Sequence, residues 1–130
     1  AAQTGEVVAV NGTEYLLAQL QAELLTTTPG ESVAYLTDFR LNIATQELLA
    51  ERIRGVTTVV CESQNLAADV ELAEAAMHST AREVATLAAR AGVGRLILFH
   101  VSPRYLPFRL GEVLAEARAV FPNTTFPDGW

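Results

Sequence analysis

The sequence contains no lysine, so all nine of its positive side chains are arginine, set against fifteen acidic residues and a formal charge of −6. That balance excludes a stand-alone nucleic-acid binder of the usual kind, because phosphate affinity wants a basic patch. If the substrate is RNA, the basic surface has to come from elsewhere. Cysteine occurs once, at Cys61, which rules out an internal disulfide and suits a reducing cytoplasm. No apolar run approaches the roughly 18 residues of a spanning helix, so no membrane association is expected. The opening Ala1-Ala2-Gln3-Thr4-Gly5-Glu6 has neither a basic region nor an apolar core, so no signal peptide is expected; nor does the chain begin with Met. Only two histidines are present, His78 and His100. There is no HxHxDH cluster, no nucleophilic serine with its base and no phosphate-cradling glycine loop.

What is present alternates in period. The 130 residues suit one domain with a modest core. Val7–Val10, Asn11-Gly12 and Thr13–Tyr15 read as strand, tight turn and returning strand. Leu16, Leu17, Leu20, Leu24 and Leu25 then keep helical spacing. Strands are predicted over Ser32–Thr37, delivering Asp38, and over Val56–Cys61, ending on Glu62. Leu96–Phe99, followed by His100, reads as a strand buried on both faces, and Thr124–Phe126 as an edge strand. Ile43–Ile53 and Leu110–Val120 are predicted helices, and Leu66–Met77 is helix or ordered loop. Thr80-Ala81-Arg82-Glu83 is a capping box, opening a helix whose stripe is Ala81, Val84, Ala85, Ala88 and Ala91, with Gly92 as its stop. Strand alternating with helix makes the class α/β.

Three predicted strands end on a polar residue: Asp38, Glu62 and His100. His78 stands just before a helix N-terminus. In an α/β sheet the carboxyl ends of strands converge on one edge, where ligands bind. Aspartate with histidine is ligand chemistry for zinc or manganese, and His100 serves equally as a ligand or as an acid/base. Arg104, four residues beyond it, offers a fork of donors to phosphate or carboxylate. The plainer account is that Asp38 caps a turn, Glu62 is solvated and His78 merely precedes a helix. Two histidines cannot supply the ligands of a dinuclear hydrolytic site, so the chain carries half of one.

Ala34-Tyr35-Leu36-Thr37-Asp38, Val59-Val60-Cys61-Glu62, His78-Ser79-Thr80-Ala81, Leu96 through Tyr105, and Glu116-Ala117-Arg118 with Phe121-Pro122-Asn123-Thr124 closely resemble the C-terminal half of ribonuclease Z. This is the tRNA 3′-processing endoribonuclease family of the metallo-β-lactamase superfamily. The likeness runs from about Gly5 to Asp128, and His-Ser-Thr followed 22 residues later by His-Val-Ser-Pro-Arg-Tyr is specific. It implies that residues 1–130 form the C-terminal αβ half of an αββα sandwich whose N-terminal half carries HxHxDH. By the same resemblance, Asp38 matches the aspartate bridging two zinc ions (manganese being the other candidate) and His100 the last histidine ligand. His78 matches the histidine that protonates the leaving oxygen, Glu62 the acidic residue beside it, and Ser102 and Arg104 the loop meeting substrate phosphate.

The implied partners are the N-terminal half or a second chain, a homodimer mate and tRNA; the implied location is the cytoplasm. One departure from the family pattern is Phe39-Arg40, where a small residue or threonine usually follows the aspartate. Two other functions share the outline: a metallo-hydrolase of small phosphodiester, sulfate or lactone esters, and a non-catalytic assembly module.

Overall fold

A parallel sheet needs apolar strands joined by helices long enough to return the chain to the same edge, and residues 31–130 supply both. The computed structural model describes residues 5–130; residues 1–4, the start of the stretch read above for a leader, lie outside the described residues. The chain divides into two units, residues 1–30 and 31–130.

In the first unit, β1 (Val7–Val10) pairs antiparallel with β2 (Thr13–Leu16). Asn11 (φ +50°) and Gly12 (φ +82°) both occupy the left-handed region, as a two-residue hairpin turn of the favoured hand requires. Helix α1 (Leu17–Leu24) follows without a break.

In the second unit, β3 (Val33–Leu36), β4 (Thr58–Glu62), β5 (Arg95–Phe99) and β6 (Thr124–Thr125) pair in that order, every neighbouring pair parallel. Leu36 stands opposite Cys61, and Cys61 opposite Leu98, so the carboxyl ends of three strands are level. The connecting helices are α2 (Ile43–Arg52), α3 (Val70–Ala75), α4 (Ala81–Ala91) and α5 (Leu110–Arg118). Helix α4 lies between α2 and α5 and against β4 and β5. Its capping box forms as predicted: the Thr80 hydroxyl accepts from the Glu83 N–H, and the Glu83 carboxylate accepts from the Thr80 N–H. All five residues of its apolar stripe are buried, and Gly92 closes it at φ +61°. Alanine brings the helix close to the sheet, and Gly94 keeps the return tight. A Cβ on Gly94 would stand 2.5 Å from the Thr57 carbonyl oxygen, so no larger residue fits without moving backbone.

Apart from element ends that shift by one or two residues, the structure departs from the sequence reading in three places. Strand β5 is buried on one face, not two: Leu96 and Leu98 are sealed, whereas Ile97 and Phe99 are half-buried, with Tyr35 stacked on Phe99 at 5.1 Å. Strand β4 starts at Thr58 and includes Glu62, because Thr57 is engaged with Ser32, whose N–H it accepts. Leu66–Met77 splits into a 3-10 turn (Ala67–Asp69) and α3. Among the described residues no helix is long and apolar enough to cross a membrane.

Candidate metal centre

Three strands and one helix of the second unit, β3, β4, β5 and α3, each bring one polar residue to the same rim. Two residues beyond β3, Asp38 takes φ +53°, and directly after β5, His100 takes φ +54°. Aspartate and histidine are among the few side chains that tolerate this region, so the turn chemistry and the site chemistry agree at both positions. His78 is delivered differently. Helix α3 ends with Met77 at φ +60°; the Met77 N–H donates to the Glu74 carbonyl and the His78 N–H to the Ala73 carbonyl. That double bond pattern is the usual glycine-type helix stop with a methionine in glycine's place, and it fixes the direction in which the chain leaves towards His78.

Glu62, the last residue of β4, is fully buried and gathers the other three. Its carboxylate accepts from the Asp38 N–H at 2.6 Å and the Ser79 N–H at 3.1 Å, and it holds His78 Nδ1 at 3.0 Å. His100 Nδ1 lies 3.5 Å from Glu62 Oε2 and 3.7 Å from Asp38 Oδ1. The two imidazoles meet edge to face at 5.0 Å. Asp38, Glu62, His78 and His100 each offer one ligand atom, and these atoms all lie within 4.8 Å of one another. This His/Asp/Glu group can hold a metal ion. One observation argues that the residues fit one: His100 Nδ1 is buried and has no hydrogen-bond partner, a cost that a polar nitrogen does not ordinarily carry. Nitrogen and carboxylate oxygen together are the donor set of zinc and of harder divalent ions.

Ser102 and Arg104 stand apart from this group. The Ser102 N–H donates to the Gln64 carbonyl, and Arg104 Nη1 approaches Asp69 Oδ1 at 3.9 Å. Among the described residues no hydrogen bond or ion pair joins either to the four.

Two contributors were not visible in the sequence. Buried Ser79 donates its hydroxyl to the Phe39 carbonyl and accepts from the Leu41 N–H, clamping the loop that follows Asp38 to the loop that carries His78. Arg40, noted only as a departure from the family pattern, reaches Glu83 at 2.6 Å and Glu74 at 3.1 Å. The only prior signal was position: Ser79 lies between His78 and the capping residue, and Arg40 two residues past Asp38.

Burial works to raise the Glu83 carboxyl, but the Arg40 guanidinium and the Thr80 N–H and hydroxyl outweigh it, and its pKa falls below 4.5. A depressed carboxyl stabilises the fold above its unfolded value, and that contribution drains away as pH falls through the folded value. Glu83→Gln is therefore expected to be less stable than the wild type by about 1–2 kcal/mol at pH 7, with the gap narrowing towards zero as the pH is lowered below 4.5. Urea midpoints at pH 7 and pH 3 check this; a gap that stays constant would refute it.

No protein-family model matches the chain. Curated relatives do. The chain is 43% identical over 125 residues to the ribonuclease Z of Deinococcus radiodurans, an alignment covering 96% of this chain and 38% of the relative. It is 44% identical over 95 residues to that of Geobacillus kaustophilus, covering 73% and 30%. It is 42% identical over 99 residues to that of Synechococcus sp. (strain CC9605), covering 74% and 30%. Among solved structures it superposes on the metallo-β-lactamase fold protein YhfI from Bacillus subtilis with a TM-score of 0.60 and 21% identity, over 74% of this chain and 36% of that one. The latter likeness shows the fold. The chain thus spans 30–38% of the length of these curated relatives, and within that span it is a homologue of ribonuclease Z with the α/β architecture of the metallo-β-lactamase fold.

Proposed function

We propose that this chain is the C-terminal half of a dinuclear metal-dependent phosphodiesterase that cleaves precursor tRNA at its 3′ end, active only with an N-terminal half that supplies the HxHxDH ligands. The observation that carries the reading is the meeting of Asp38, Glu62, His78 and His100 from four separate segments. Asp38 and His100 would hold the ions, zinc in the first place and manganese in the second. When bound, two such ions supply Lewis-acid charge at the phosphate and a water acidic enough to attack at neutral pH. His78, oriented by Glu62 through Nδ1, presents its opposite nitrogen for proton transfer to the leaving oxygen. Glu62 keeps the His78 imidazole and the Asp38 backbone in one geometry, so little reorganisation remains for the reaction. Ser102 and Arg104 would meet substrate phosphate.

The sheet supports a missing layer. Val33 and Tyr35 are exposed, and Ile97 and Phe99 half-exposed, on the face turned away from the sealed side chains. That surface suits a second sheet. The working protein would then be a cytoplasmic assembly, a homodimer of complete subunits acting on tRNA.

Co-expression of this chain with an HxHxDH-bearing N-terminal half, loaded with zinc or manganese, is expected to cut precursor tRNA faster than a chromogenic phosphodiester. The 130-residue chain alone is expected to cut neither. Turnover by the rigorously purified chain alone would overturn the proposal, as would an assembly that prefers the small ester.

A further inference from the structure

Residues 84–111 contain no aspartate or glutamate but four arginines, in a chain that is otherwise acidic. Two of these arginines, Arg104 and Arg109, bracket the loop that runs on from His100 and Ser102. The loop is firmly rooted. Tyr105 is fully buried, its hydroxyl accepting from the Leu66 N–H and donating to Asp69. The Arg109 N–H donates back to the Tyr105 carbonyl, and the Arg109 guanidinium lies 5.4 Å over the Tyr105 ring. On this fixed base Phe108 is 94% exposed, and Leu106 beside it is 45% exposed. A phenylalanine presented almost whole to solvent next to half-exposed arginines adds nothing to the core of this chain. It matches the way single-stranded nucleic acid is held, with a base stacked on an aromatic face and its phosphates against arginine. Phe108 lies eight residues past His100. Even an extended chain would place it within about 29 Å, and the 3-10 turn at Pro103–Tyr105 shortens that reach.

We infer that Phe108 is a stacking platform for an unpaired base of single-stranded RNA, with Arg104 meeting the adjoining phosphate. The assignment rests on the RNA-cleaving reading above. It extends that reading to a residue outside the metal-binding group. Arg104, whose contact to Asp69 is a loose 3.9 Å, is free to turn to phosphate; Arg109, held by Glu112 at 2.7 and 2.9 Å, serves to brace the loop. Stacking of one base is worth about 1–3 kcal/mol, close to tenfold or more in affinity.

The test uses this chain assembled with an HxHxDH-bearing N-terminal half, kept in EDTA so that nothing is cut, and a labelled 12-nucleotide single-stranded RNA, beside the same oligomer with abasic sites throughout. Phe108→Ala is expected to weaken binding of the RNA about tenfold and leave binding of the abasic oligomer unchanged. Phe108→Trp is expected to retain affinity and to lose tryptophan emission on RNA addition, which a purely structural residue would not do. Equal affinity of Phe108→Ala and wild type for the RNA overturns the inference. So does the finding that Phe108→Ala changes only the sedimentation of the protein, since that identifies a protein contact. The parent reading fails separately: an assembled, metal-loaded enzyme that leaves precursor tRNA uncut refutes the ribonuclease assignment, even where Phe108-dependent RNA binding persists.

Discussion

Glu62→Ala is expected to destabilise the chain by about 3–5 kcal/mol, the range for breaking one side of a buried charged network. The carboxylate is the common acceptor for the Asp38 N–H, the Ser79 N–H and His78 Nδ1, and it has no exposure to solvent. Alanine strands the buried Ser79 N–H, at about 1–3 kcal/mol for a buried unpaired donor, and at a smaller cost the part-buried Asp38 N–H, and it leaves a void where the carboxylate stood. Glu62→Gln separates shape from charge. It fills the same volume, but one of its two oxygens becomes an NH2 that faces a backbone N–H, so it too is expected to lose about 2 kcal/mol. Urea unfolding of both variants at pH 7 measures this. If both stay within 0.5 kcal/mol of wild type, the rim is held by something other than this residue.

Much of the sheet was legible because local signals agreed with the global fold. Asn11-Gly12, the Thr80–Glu83 capping box and the alanine stripe of α4 each fix a boundary from a few neighbouring residues, and all three form as the sequence predicts. Asp38 and His100 were legible as strand ends. What could not be read was pairing over distance. Arg40 meets Glu83 across 43 positions and Ser79 meets Phe39 across 40, and no local pattern encodes such a meeting. The one-sided burial of β5 had the same source. Its apolar run is equally compatible with cover on both faces, and only the placement of α4 against β4 and β5 decides which residues are sealed. The sequence makes Glu62 only an acidic neighbour of His78, because it cannot show that the Asp38 and Ser79 amides point at its carboxylate.

On the proposed roles, His100→Ala and His78→Ala in the assembled protein are expected to lose activity for different reasons, and the difference is measurable. His100 brings the one buried side-chain nitrogen without a hydrogen-bond partner among the described residues, 3.7 Å from the Asp38 carboxylate. Removing it takes away a ligand, so bound zinc per chain falls, and with it a contribution of several kcal/mol to the reaction; at about 4 kcal/mol that is close to 10³-fold in rate. Asp38→Ala is expected to behave in the same way. His78 is already satisfied by Glu62 at 3.0 Å, so its nitrogen is committed to orientation rather than ligation. His78→Ala is expected to keep its metal, measured by atomic absorption after gel filtration, while losing about 10²–10⁴-fold in turnover, the range for a positioned proton donor. Supplying a substrate whose leaving group needs no proton, such as a nitrophenyl ester, should restore much of the His78→Ala rate and none of the His100→Ala rate. If the two variants lose metal equally, His78 is a ligand and the proton must come from another group. If neither loses metal, the four residues are a hydrogen-bonded cluster that secures the strand ends, and the hydrolytic reading of this chain falls with them.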